Sequence, residues 1–127
     1  MNVVHGKLRR AGVNAVVETA DGIGWPVLRE PAVGEGLDVS YGVRPEHLEV
    51  VECGSAGSVP GEVVVVEPTG AETEVLVRSG TSQITVISHG RPSIGPGDQI
   101  ALRVAPGSVH LFDRNSGARI PDVERRD

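Results

Sequence analysis

Hydrophobic residues recur at every second position between clusters of glycine and proline through the second half of the chain, the pattern of strands that bury one face. Gly61 to Glu67 is a valine-rich strand. Pro68-Thr69-Gly70 then supplies proline at the second and glycine at the fourth position of a type I turn beginning at Glu67. Glu72 to Ser79 follows, with Thr73, Val75 and Val77 on one face and Glu72, Glu74, Leu76 and Arg78 on the other, and Gly80-Thr81 turns the chain into Ser82 to Ser88. These strands predict a three-stranded meander. Arg91 to Asp98 is too rich in breakers for a helix or strand, so it is expected to be a loop that carries Ile94 inward. Gln99 to Val104 alternates with Ile100, Leu102 and Val104 inward, Pro106-Gly107 interrupts, and Val109 to Phe112 resumes the extended pattern. Five strands from Gly61 to Phe112 suit a small barrel.

The first half is less regular. Strands are predicted at Lys7 to Arg10, Asn14 to Glu18, Trp25 to Leu28, Asp38 to Val43 and Leu48 to Glu52, with one helical turn near Pro45 to Leu48. Ser55-Ala56-Gly57-Ser58 reads as a short joint between the halves, and Pro121 to Asp127 as a charged tail that frays. The expected architecture is all-β with little helix: an N-terminal β-module over 1–57, a five-stranded barrel over 58–120 and a flexible tail over 121–127. No repeat of 20–50 residues is evident.

Composition fits this reading. The chain has 127 residues, 17 glycines and 9 prolines, and its apolar content is mostly valine with isoleucine and leucine; Trp25, Tyr41 and Phe112 are its aromatics. That mixture favours short strands and many turns. A formal charge of −5 sets it apart from domains that neutralise phosphate backbones, so nucleic acid is not an expected partner. Charges of both signs are scattered, with Arg78 near Glu74 and Arg103 near Asp98 in sequence. Cys53 is the single cysteine, which rules out an intrachain disulfide and fits a cytosolic setting. Met1 to Gly6 shows no long apolar stretch after basic residues and no apolar run approaches spanning length, so any membrane link is expected to run through partners.

Few residue patterns in the chain carry chemistry. A P-loop needs a glycine-rich cradle followed by Lys and Ser/Thr, because backbone amides, ammonium and a Mg²⁺-bound hydroxyl share the phosphate charge. The only lysine, Lys7, precedes Leu8, and neither Gly34-Glu35-Gly36 nor Gly95-Pro96-Gly97 leads to such a triplet. His5, His47, His89 and His110 lack the close spacing that puts two metal ligands on one element. His47 is expected to hydrogen-bond at a strand end, and His110 to lie outward or at an edge. Gly54-Ser55-Ala56-Gly57 misses the nucleophile-elbow spacing by one residue, and Cys53 reads as a buried or half-buried small hydrophobe. An OB-like barrel invites comparison with single-strand binders, but the basic groove and stacking aromatics they use are missing.

Gly42-Val43-Arg44-Pro45-Glu46-His47 resembles the Gly-Val/Ile-Arg-Pro-Glu-His signature of the C-terminal regulatory (TOBE, OB-like) domain of maltose-type sugar-importer ATPases. Pro45 removes a ladder donor and pushes Arg44 extended, while Arg44 and Glu46 would share a face if extended, so locally the motif reads as a strand end held by an ion pair. A second resemblance runs from Gly61 through Glu67-Pro68-Thr69-Gly70-Ala71-Glu72-Thr73. A third covers Pro96-Gly97-Asp98, the strand to Val104, His110-Leu111-Phe112-Asp113 and Gly117-Ala118-Arg119-Ile120. The motif residues singled out as family or regulatory candidates are Gly42, Arg44, Pro45, Glu46, His47, Glu67, Gly70, Glu72, Thr73, His110, Phe112 and Asp113.

The resemblance implies a piece of a longer subunit whose nucleotide-binding domain, with ATP and Mg²⁺, lies upstream. It further implies pairing with a second copy, association with permease subunits at the cytoplasmic face of the membrane, and a role in receiving a cytosolic regulatory protein. No cofactor or metal is expected in the chain itself. Two rivals remain at this stage: a stand-alone oxyanion-binding domain of the molybdate type, and an OB-type nucleic-acid-binding module.

Overall fold

In the computed structural model, residues 1–11, 14–29, 31–32 and 34–121 are described. Ten strands run in the order β1 (Asn2–Ala11), β2 (Asn14–Glu18), β3 (Gly24–Pro26), β4 (Asp38–Val43), β5 (Leu48–Glu52), β6 (Val59–Pro68), β7 (Glu72–Ser79), β8 (Ser82–His89), β9 (Gln99–Val104) and β10 (His110–Asp113). Among the described residues a single 3₁₀ turn, Pro45–His47, lies between β4 and β5. All pairings are antiparallel and form two five-stranded sheets, β10-β4-β1-β2-β3 and β5-β9-β6-β7-β8. The all-β, OB-like expectation holds, and the expected helical turn is the 3₁₀ turn.

Neither sheet is drawn from one side of residue 57 alone. β5 leaves the N-terminal half to pair with β9, and β10 leaves the C-terminal half to pair with β4. Alternation reports which face of a strand is buried but is blind to the sheet it joins. Leu111 is fully buried opposite Tyr41 in the first sheet, and Leu48 is buried opposite Val104 in the second. One continuous cluster joins both sheets, including Trp25, Tyr41 and Leu8 from the first and Val63, Val77, Ile84 and Leu102 from the second. Trp25 and Tyr41 stack at a tilt of 52°, centroids 5.6 Å apart, and the Tyr41 hydroxyl donates to the Pro26 carbonyl at 2.5 Å. Burial pushes the Tyr41 phenol well above its ordinary pKa.

β1 is longer than Lys7 to Arg10 because Gly6 hides its continuity. A Cβ on Gly6 would sit 2.5 Å from the Glu18 carbonyl oxygen, so only glycine lets β1 pass that close to β2. β3 stops at Pro26, short of the predicted Leu28, whose φ of +62° takes it out of extended backbone. In β6 the register shifts between Val63 and Val65, so Val64 is an extra residue, and Val65 is 45% exposed although it stands in a run of valines. The predicted inward faces of β7 (Thr73, Val75, Val77) and β9 (Ile100, Leu102, Val104) are buried, and Ile94 packs partly against the core. The part of the predicted tail from Asp122 to Asp127 lies outside the described residues.

Two polar devices fasten the two sheets, and a third acts within the second sheet. The Asn2 amide accepts from Thr85 N–H at 2.9 Å and donates to the Thr85 carbonyl at 2.8 Å, occupying the outer edge of β8 as a strand would. The Asp21 carboxylate accepts from Thr81 N–H at 2.9 Å and from the Thr19 hydroxyl. Buried Ser79 donates to the Pro60 carbonyl at 2.6 Å, holding β7 to the start of β6.

Candidate functional site

The Gly42 to His47 segment is the crossover between the sheets. β4 ends at Val43, Arg44 stays extended (φ −74°, ψ 147°), Pro45 opens the 3₁₀ turn, and the Leu48 N–H closes on the Pro45 carbonyl. His47 N–H bonds the Arg44 carbonyl at 3.0 Å, while the His47 carbonyl accepts from Ala105 N–H at 3.0 Å and so starts the β5–β9 ladder. Gly42 is buried beneath Met1, whose terminal carbon would lie 2.9 Å from a Cβ at that position.

The expected ion pair between Arg44 and Glu46 is absent among the described residues. Both side chains are exposed, and the 3₁₀ turn replaces the extended geometry that would have put them on one face. His47 hydrogen-bonds at the strand end through its backbone, while its ring Nδ1 is buried without a partner. Cys53 is exposed, not buried, because β5 ends at Glu52 and the chain turns at Gly54 with φ +85°. Arg78 pairs across the sheet with Glu62 at 2.5 Å, and Arg103 stands opposite Glu49 in register.

The second motif forms the β6–β7 hairpin and its anchor. Glu67 and Gly70 are exposed, Gly70 takes φ +86°, and Thr69 N–H donates to the Glu72 carbonyl at 2.8 Å. Glu72 lies 3.4 Å from His89. Thr73 is buried and donates to the Gly90 carbonyl at 2.6 Å. In the third motif, His110 stands opposite Gly42 and Phe112 opposite Ser40, while Asp113 accepts from Asn115 and Ser116 N–H. The first and third motifs therefore meet on β4 and β10; the hairpin of the second lies in the other sheet. Glu72 faces the His89 imidazole, while Thr73 and Asp113 bond to backbone groups.

What sequence reasoning missed is a groove of about 980 Å³ between β5, β8 and the loop that follows β8. Val50, Ile87, Ile94 and Ile100 give it an apolar floor, and Glu46, Glu49 and Glu52 give it an acidic rim. Its residues come from segments some forty positions apart, so no local spacing signals it. Among the described residues no group of three or more His, Cys, Asp and Glu could hold a metal, and no helix is long and apolar enough to cross a membrane.

Nor do the glycine loops fit a nucleotide phosphate. The Gly95 N–H is taken by the Asp98 carboxylate at 2.8 Å, which puts negative charge where a phosphate would sit, and Lys7 faces Asp38 at 3.4 Å. The fold and its surface define a class: an OB-like β-module that offers a grooved, mixed-charge surface and carries no assembled catalytic constellation among its described residues.

Within that class the chain belongs to the TOBE domain family, which it matches over residues 41–112. It is 41% identical over 105 residues to the uncharacterized ABC transporter ATP-binding protein y4oS of Sinorhizobium fredii, covering 83% of this chain and 27% of that protein. It is 30% identical over 122 residues to the sn-glycerol-3-phosphate import ATP-binding protein UgpC of Yersinia pestis, covering 94% of this chain and 32% of that one. The chain thus spans about a third or less of the length of these relatives. Among solved structures, the cytoplasmic molybdate-binding protein ModG has a TM-score of 0.62 at 18% identity over 87% of this chain and 94% of its own, a likeness of fold.

Proposed function

We propose that this chain is the regulatory and dimerisation domain of the ATP-binding subunit of an ABC importer for sugars or related solutes, and is itself non-catalytic. The observation that carries this reading is the TOBE match over residues 41–112, combined with alignment to only 27–32% of relatives named as ABC transporter ATP-binding proteins. The parent subunit then holds ATP and Mg²⁺ in another domain, works with permease subunits at the inner face of the membrane and couples hydrolysis to import. The present domain contributes to pairing of two such subunits and offers a surface to a cytosolic regulator. An oxyanion-binding role is disfavoured by charge, because the groove between β5 and β8 is rimmed by Glu46, Glu49 and Glu52.

Two measurements on the isolated chain test this. Incubation with Mg-ATP is expected to release no phosphate above buffer, and measurable turnover would contradict a non-catalytic module. Sedimentation equilibrium is expected to reveal weak self-association; a strict monomer at the highest soluble concentration would remove the pairing role from this domain.

A further inference from the structure

β5 and β8 are the outer strands of the second sheet, and each pairs on one side only. Their registers identify which backbone groups point into the groove. Hydrogen-bonded and non-hydrogen-bonded pairs alternate along an antiparallel ladder. On β8, Gly90 N–H bonds the Ala71 carbonyl, which fixes the phase and turns the N–H and C=O groups of Thr85, Ile87 and His89 away from β7. Thr85 is already satisfied, since the Asn2 amide takes both its groups. On β5, the bond from Ala105 N–H to the His47 carbonyl sets the phase that turns Val50 outward. Ile87 and His89 on one bank and Val50 on the other therefore offer backbone donors and acceptors across an apolar floor. Glu46, Glu49 and Glu52 line the rim.

We propose that this groove binds an extended, lysine- or arginine-bearing segment of a partner protein, added as a strand to the outer edge of β8 beyond Asn2. A peptide backbone satisfies Ile87 and His89 in the way the Asn2 amide satisfies Thr85, and alternation lets one face of the guest meet the apolar floor while its cations meet the glutamates. The acidic rim selects against nucleic acid and against acidic segments. The inference goes beyond the proposed subunit role, because the groove's chemistry is independent of which subunit carries it.

Cys53 supplies the readout: it is exposed, it lines the groove, and it is the only cysteine in the chain. The chain is labelled there with an environment-sensitive fluorophore and titrated with a capped peptide of about eight alternating Lys and Val residues, roughly the length of β8. Saturable binding is expected, weakened about fivefold or more by raised salt or by Glu46→Gln with Glu52→Gln. Binding is expected to vanish when Glu replaces Lys in the peptide, or when alternate peptide nitrogens are methylated. In the protein, Ile87→Pro removes the outward N–H without removing a bond to β7 and is expected to abolish binding. The peptide controls leave the protein intact, so they decide the matter even if that variant unfolds. Equal binding of the methylated or acidic peptide, or no binding of the cationic one, overturns the proposal. None of these outcomes bears on whether the chain turns over ATP or self-associates.

Discussion

Asn2 spans the seam between the sheets and has its amide matched on both sides by Thr85, so its loss strands a donor and an acceptor on β8. Asn2→Ala is expected to cost about 1–3 kcal/mol in urea denaturation, and a change indistinguishable from zero would mean that water replaces the amide without loss. Asp21 gives the chain a pH dependence. The Thr19 hydroxyl, followed by the Thr81 N–H, holds its carboxyl below the ordinary value of 3.8. A depressed folded pKa contributes stability that is present above the unfolded pKa and is lost as pH falls through the folded one. Asp21 is exposed, so the effect is small. Wild type should therefore lose slightly more thermal stability than Asp21→Asn between neutral pH and a pH below about 4, and equal losses would contradict the linkage. Arg44 and Glu46, exposed and unpaired with each other, should each tolerate alanine within about 0.5 kcal/mol. At this scale the sequence carried the motif but not its geometry: a 3₁₀ turn parts two residues that an extended chain would bring together.

Strand identity was readable where alternation is clean. Asn14–Glu18, Asp38–Val43, Leu48–Glu52, Glu72–Ser79 and Gln99–Val104 all fall at their predicted bounds. Irregular strands were harder for identifiable reasons. The run from Val63 to Val66 conceals the extra residue in β6, because all four side chains are alike while one faces solvent. Gly6 breaks the alternation of β1 but is needed for close passage, not for a turn. Gly6→Ala should therefore cost about 1–3 kcal/mol by forcing β1 and β2 apart, measured by chemical denaturation. A neutral effect would mean that the strands have room the geometry does not give them.

At the scale of the molecule, partner choice was the feature least legible in the chain. β5 and β10 trade sheets, so each half supplies a strand to the other's sheet. A cut after residue 57 should leave two pieces that stay unfolded when separate and regain β-sheet circular dichroism when mixed; independent folding of either piece would contradict this topology. The groove was equally hidden, since it exists only once β5 and β8 face each other. The family resemblance, by contrast, was legible because its motifs govern crossovers and hairpins that local sequence dictates.

The central claim, a TOBE domain serving an importer's ATP-binding subunit, is tested most directly by exchange. The aligned segment of UgpC is replaced by this chain, and glycerol-3-phosphate uptake by cells carrying the chimaera is compared with uptake by cells in which that segment is deleted. The account predicts uptake above the deletion, with ATPase activity retained. A chimaera that is folded and abundant yet no better than the deletion would contradict it.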